Sequence, residues 1–422
     1  MPEYAATLRN HAAAVRGSSG FSPLTIVVAA VIALCAWLAA EQGGLRGAAL
    51  LLTGGGLGFA LQKSGFGFAG AWRAQVMEAR GAGLRTQLAL LALLTVVFFP
   101  LFAHGTFIGQ PLSDVVRPVG VALLGGAFLF GIGAQWASAC SSGSLTALGN
   151  GKLRYVVVIL AMVAGATLGS AHFGWWEARP SWFSFSLARE WGPVGGAAAS
   201  LAIIAGLAAL SLWLEHRRHG DIRPFAPPPL DVGGSGRFGG RWPIGRGILV
   251  LAVLCTATLL LAGRPWTIMT GPPLWGAKVI EAGSLPLDVA FWDYWSAGSR
   301  MEALGASLWA DITTVMIVGL VLGTALAAAL GRTLRSHWRI GPGEFTGAAL
   351  GGLLLGYGGV VGLGCNIGAF LGGVSSGSLH GWFWLLAAFA GTAVGAMVRT
   401  LTGRLIGRTP LGSVSAGADA RS

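Results

Sequence analysis

Long apolar stretches, broken by short polar ones, pace this chain from end to end. They lie near residues 22–40, 44–62, 86–103, 118–138, 155–171, 193–214, 247–262, 305–330, 346–364 and 381–398. Each is close to the roughly 17–25 residues that a helix needs to cross a bilayer. The pattern predicts ten spans and an all-α fold, a polytopic integral membrane helical bundle. Arg9 and Arg16 precede the first stretch, and no small-residue cleavage site follows it. That stretch is therefore expected to stay as a membrane helix rather than leave as a signal peptide.

Composition supports the reading. Charged residues make up 10% of the 422, apolar ones 54%, and 69 are glycine. A soluble domain carries about 25% charged residues, and a disordered chain would not hold so much apolar surface. The glycines predict close helix packing, with Gly54/Gly58 and Gly319/Gly323 at the small-x₃-small spacing. A net charge of +12 would suggest nucleic acid in a soluble protein. Here the cations gather in alternate loops, as the positive-inside rule requires, and no nucleic-acid partner is expected. Lys63, Arg73, Arg80 and Arg85 fall in one such loop, and Lys152 and Arg154 in the next. Arg217, Arg218, Arg223, Arg237, Arg241 and Arg246 fall in a third. The loop 263–303 instead carries Glu281, Asp288, Asp293 and Glu302 beside Arg264, Lys278 and Arg300. The expected location is the bacterial inner membrane, with both termini cytoplasmic. Trp175, Trp182, Trp191 and Trp292 fall in the opposite loops and read as a lipid-interface belt.

Pro224 to Pro229 and Gly233 to Gly236 read as a linker. The expected organisation is a membrane half over 1–214, a basic Pro/Gly-rich cytoplasmic linker over 215–246, a second half over 247–398 and a cytoplasmic tail over 399–422. Each half carries one copy of a repeat, with cores at 118–171 and 346–398. At an offset of 225, Gly126, Gly131, Gly133, Cys140 and Gly143 meet Gly351, Gly356, Gly358, Cys365 and Gly368. One inserted residue later, Gly151, Gly165 and Gly169 meet Gly377, Gly391 and Gly395. Chance supplies glycine matches in such a chain, but a shared cysteine in the same frame is far harder to obtain. Loop charge sends the helix before Cys140 inward and the one before Cys365 outward. The copies are thus expected to be inverted repeats, which in transporters place substrate near the midplane at broken helices. Ser141–Asn150 and Asn366–Ser378 are too rich in Gly and Ser for full spans. They are expected to be short re-entrant half-helices starting just after each cysteine, their free N–H groups turned toward an anion.

The cysteines are Cys35, Cys140, Cys255 and Cys365. They form no C-x-x-C pair and have no His or acid at ligand spacing, so neither a metal site nor a disulfide framework is expected. Cys35 and Cys255 sit in ordinary apolar helix contexts and read as packing residues. Cys140 and Cys365, at equivalent places in the repeat, read as functional. His104, His172, His337 and His380 fall at span ends and read as solvated or interfacial. No G-x₄-G-K-[ST] motif occurs, and no cofactor is expected.

The segments Gly133-Ala-Gln-Trp-Ala-Ser-Ala-Cys140-Ser-Ser-Gly143 and Gly362-Leu-Gly-Cys365-Asn-Ile-Gly368 resemble the YeeE/YedE family of bacterial sulfur transporters. Gly58-Phe-Ala-Leu-Gln-Lys-Ser64-Gly-Phe66-Gly67-Phe68, with Arg73 after it, is similar to that family's early motif. The likeness covers roughly 44–171 and 305–398. It implies thiosulfate uptake through an hourglass-shaped helical protein, broken at the waist and lined by a series of cysteines. Cys140 and Cys365 would take two of those places. Gly67 stands where similar sequences often carry another, so Ser64 and Gly67 join the candidate pathway.

The implied substrate, thiosulfate or a related sulfur anion, is a dianion with one soft sulfur. Charge at membrane depth must be paired or hydrogen-bonded. The apolar runs around the two cysteines hold no Arg or Lys. Half-helix N-termini are therefore expected to supply the positive potential, with Ser141, Ser142 and Asn366 as donors and Gly143 and Gly368 beside them. A neutral thiol is a weak donor that suits a sulfur acceptor. A cytoplasmic sulfur-carrier protein is a further candidate partner. The alternative is a membrane-embedded sulfurtransferase or thiol oxidoreductase using the same cysteines, which needs thiolate character. An anchoring subunit with no substrate of its own is a third class, against which the paired motifs argue.

Overall fold

The computed structural model describes residues 22–225, 240–284, 286–296, 298–334 and 340–405. The linker residues 226–239, the tail beyond 405 and His337 lie outside the described residues. Helices dominate: α1 (Pro23–Ser64), α2 (Ala69–Glu78), α3 (Ala82–His104), α4 (Val121–Trp136), α5 (Ser141–Gly149), α6 (Arg154–Ala171) and α7 (Leu187–His219). The second half supplies α8 (Ile244–Ala262), α9 (Gly271–Ala282), α10 (Ile312–Leu330) and α11 (Pro342–Val361). A π-turn over Asn366–Leu371 then runs into Gly372–Ser375, together called α12, before α13 (His380–Leu405). Two short antiparallel strand pairs sit at one end of the bundle, one of them joining Val119–Gly120 to Ser181–Phe183.

Among the described residues, nine helical segments are long and apolar enough to cross a membrane. Eight of the ten expected spans correspond one to one. The first two merge, because α1 runs on through Gly44, whose φ of 61° breaks the helix without ending it. Glycine reaches that left-handed conformation at little steric cost. The loop expected over 263–303 contains α9, whose Leu274, Ala277 and Ile280 are buried. Its 12 residues are too few to span, which is why hydropathy over a spanning window passes it by.

The centre is built from α4, α6, α11 and α13. The first helix of each repeat copy packs against the second helix of the other, α4 on α13 and α11 on α6, and α4 and α11 pack together. The glycines allow this approach. A Cβ on Gly133 would lie 2.7 Å from the Leu355 nitrogen and 2.8 Å from the Gly351 oxygen. One on Gly358 would lie 2.6 Å from both the Phe130 nitrogen and the Gly126 oxygen. These partners are themselves repeat equivalents. Gly131 likewise abuts the Ala388 carbonyl as Gly356 abuts that of Met162, and Gly391 meets Phe128 as Gly165 meets Leu353. Gly126 faces Gly362 while Gly133 faces Gly351, so α4 and α11 run antiparallel. Such an exchange of partners is what a two-fold rotation between the copies produces.

A buried carboxylate fastens the opposite end. Glu215, fully buried near the end of α7, accepts from Arg85 at 2.7 Å, Arg80 at 3.2 Å and the amides of Gly81 and Arg223 at 3.2 Å each.

Candidate functional site

Each cysteine closes a sharp break. Ser138 (φ 63°) and Leu363 (φ 60°), equivalent positions two residues before Cys140 and Cys365, are left-handed without being glycine. Backbone held in that region commonly marks functional turns. The cysteines then adopt extended backbone and become the N-caps of α5 and α12. The Cys140 sulfur accepts from the Gly143 amide at 3.4 Å and lies 3.3 Å from the Ser142 hydroxyl. It thus does the work that Ser or Asp does at an ordinary N-cap. Gln135 donates to the Ala69 carbonyl at 3.1 Å. Both cysteines are buried.

Directly after each cysteine comes a buried polar side chain with no hydrogen-bond partner among the described residues. These are the Ser141 hydroxyl and both polar atoms of the Asn366 amide. An unpaired buried amide or hydroxyl costs about 1–3 kcal/mol, and here the cost recurs at repeat-equivalent positions. Gly368, against Thr267, forms part of a cavity floor. Ser64 stands apart from this set: it is buried, donates to the Ala60 carbonyl and accepts from the Phe66 amide, closing α1. Gly67 is exposed, with nothing within 4 Å of where a Cβ would be, and its carbonyl accepts from Gln87.

Above Cys365 lies a cavity of about 200 Å³ that sequence reasoning did not anticipate. Gly364 and Gly368 line it, together with Arg117, Arg264 and Arg300. None of the three arginines forms an ion pair among the described residues. Arg300 donates to the Tyr294 carbonyl at 2.9 Å and stacks 4.3 Å over that ring. Arg264 donates to the Thr313 hydroxyl at 3.2 Å. Arg117 has no hydrogen bond within the described protein. Desolvation in the concavity, and then the charge of Arg300, pull the Arg117 guanidinium below its ordinary range. Burial does the same to Arg264, opposed by the charge of Asp311. Both stay charged, because a guanidinium starts so high. Half-helix ends are therefore not alone in supplying positive potential. The arginines come from positions distant in sequence, Arg117 and Arg264 in loops and Arg300 in the short helix Gly298–Gly305. The signal in the chain was that they break the charge rule, being cations in the loops otherwise neutral or acidic.

His380 corrects another expectation. It is fully buried, its Nδ1 2.7 Å from the Ser378 hydroxyl, because the start of α13 is packed beneath Gly373 of α12. His104 and His172 are exposed. Cys255 is buried beside Trp266, Leu371 and Ser375, while Cys35 is half-buried. Among the described residues, no group of three His, Cys, Asp or Glu could hold a metal ion.

Residues 63–394 match a family model described as sulphur transport. A probable transporter YedE from Salmonella typhimurium is 24% identical over 155 residues, 37% of this chain and 37% of its own. YedE from Escherichia coli is 25% identical over 149 residues, 35% of this chain and 36% of its own. The chain therefore spans little more than a third of either YedE protein. The thiosulfate transporter TsuA of Spirochaeta thermophila is 26% identical over 350 residues, covering 79% of this chain and 92% of TsuA.

Proposed function

The chain belongs to the sulphur transport family, and from that membership we propose that it carries thiosulfate or a closely related sulfur anion inward across the bacterial inner membrane. The observation that carries the reading is the cavity of three arginines without acid partners whose floor is the turn of Cys365. A hard, doubly charged anion trades its hydration for guanidinium donors there, and its soft sulfur meets the thiol below. The relative named as a thiosulfate transporter, aligned over 79% of this chain, supports the same substrate.

Passage then runs from Cys365 to Cys140. Asn366 and Ser141 offer their unpaired polar atoms, and the first amides of α12 and α5 their free N–H groups. Neutral thiols donate weakly to sulfur, so each site lets go of its anion, as conduction requires. The antiparallel α4 and α11, with their exchanged glycine contacts, support inverted repeats about this waist. Basic residues at the α2–α3 and α5–α6 turns support a cytoplasmic placement of that end, with a sulfur-carrier protein as the recipient. Family membership favours transport over the sulfurtransferase reading.

The test is uptake of labelled thiosulfate by proteoliposomes holding the purified protein. Uptake is expected, with loss on Cys365→Ser or Cys140→Ser in protein that still folds. Wild-type vesicles that admit no thiosulfate above the protein-free background would sink the proposal.

A further inference from the structure

Among the described residues that line the arginine cavity, one is acidic, Asp114. A carboxylate at the mouth of an anion site repels its ligand, and a dianion feels twice the force. Asp114 is nevertheless engaged from outside. Arg189, in the first turn of α7, holds it as a fork: Nη2 is 2.8 Å from one carboxylate oxygen and 3.0 Å from the other, with Nε 3.2 Å away. Arg189 itself does not line the cavity, and its side chain is 64% exposed against 23% for Asp114.

The pair is not needed to place these segments. The Ser113 amide donates to the Gly263 carbonyl at 2.7 Å, and the Val115 amide to the Ser376 hydroxyl at 3.0 Å. The start of α7 is tied by the Leu187 amide to the Gly377 carbonyl at 2.7 Å. Backbone bonds on both sides thus fix the geometry that lets the two side chains meet. An ion pair this exposed contributes only about 0–1 kcal/mol to stability. Its electrical effect is larger, because it cancels the one negative charge on a rim whose other charges are three cations.

We infer that Arg189 sets the anion selectivity of the cavity by masking Asp114, acting as a positioning residue outside the binding surface. This rests on the cavity being an anion entry site. The guanidinium fork, supplied by a residue outside the cavity lining, neutralises the carboxylate, so that Asp114 does not subtract from the field of Arg117, Arg264 and Arg300.

The experiment introduces one thiol by Ser113→Cys, at an exposed lining position, in the full protein in proteoliposomes. Its rates of modification by an anionic and a cationic methanethiosulfonate reagent report local potential whatever the protein transports. Arg189→Gln is expected to lower the anionic-to-cationic rate ratio about tenfold. Adding Asp114→Asn should restore it, and Arg189→Lys should keep it near wild type. Thiosulfate KM should rise and fall in step, with maximal rate unchanged. An unchanged ratio in Arg189→Gln overturns the inference, as does a lowered ratio that Asp114→Asn fails to restore. Ratios that behave as expected while thiosulfate is never taken up uphold the masking role and defeat the substrate assignment instead.

Discussion

Replacing Arg117 with alanine removes a charge and almost nothing else. The side chain is exposed and bonds to no other described residue, so no buried partner is orphaned by its loss. Its worth is electrostatic. At roughly 5 Å and an effective dielectric near 40, suited to a half-hydrated mouth, one unit charge attracts a dianion by about 3 kcal/mol. A Debye length of about 8 Å at physiological salt removes part of this, leaving about 1–2 kcal/mol. That corresponds to roughly a five- to thirtyfold rise in apparent KM. Initial rates of labelled thiosulfate uptake into proteoliposomes, at low and high ionic strength, read it directly. KM should rise, maximal rate should stay near wild type, and the gap should narrow as salt is added. Arg117→Lys should recover most of the affinity, because the site asks for charge more than for a fork. A KM within twofold of wild type at low salt would refute the reasoning. So would a lost maximal rate at unchanged KM, which would move Arg117 from entry to passage.

Cys140→Ser and Cys365→Ser should each abolish or strongly reduce uptake, while Cys35→Ala and Cys255→Ala leave it nearly intact. Wild-type transport by either serine variant would make the waist a general anion path. Gly356→Ala and Gly131→Ala should destabilise the purified protein comparably, by about 1–3 kcal/mol, since each Cβ must displace backbone across a helix pair. Gly67→Ala should leave the melting temperature unchanged, and unequal losses at the first two sites would count against the two-fold relation. Glu215→Ala takes the carboxylate from Arg85, while Arg80 keeps Asp221 at 2.9 Å, and should cost about 1–3 kcal/mol. A denaturation midpoint equal to wild type would show that the two arginines find water instead.

The spans and the helix starts after both cysteines were legible because each is a local pattern. Hydropathy over a window found α3, α4, α6, α7 and α8, and the break after Cys140 announced itself as serine and glycine within an apolar run. The π-turn at Asn366 was not legible, since its sequence carries no mark that separates it from an α-turn. Arg117, Arg264 and Arg300 were visible as residues but not as a cluster. Arg117 precedes α4, Arg264 follows α8 and Arg300 lies in the short helix Gly298–Gly305, and only folding gathers them around Gly364 and Gly368. His380 was misread for a related reason: a position at the end of a span is solvated only if nothing covers it, and α12 does.

The crossed packing of α4 on α13 and α11 on α6 has a bearing on how such a chain could arise and assemble. Neither copy can bury its own glycine face, because each lends that face to the other. A gene encoding one copy alone would yield a polypeptide with a bare, closely fitted surface. Matched as α11 matches α4, that surface would call for a second molecule running antiparallel to the first. Two halves expressed as separate chains, divided within residues 226–239, should accordingly find each other in the membrane and fail singly. Carrying both copies in one chain supplies each with its partner in equal number, which separate chains would have to reach by encounter.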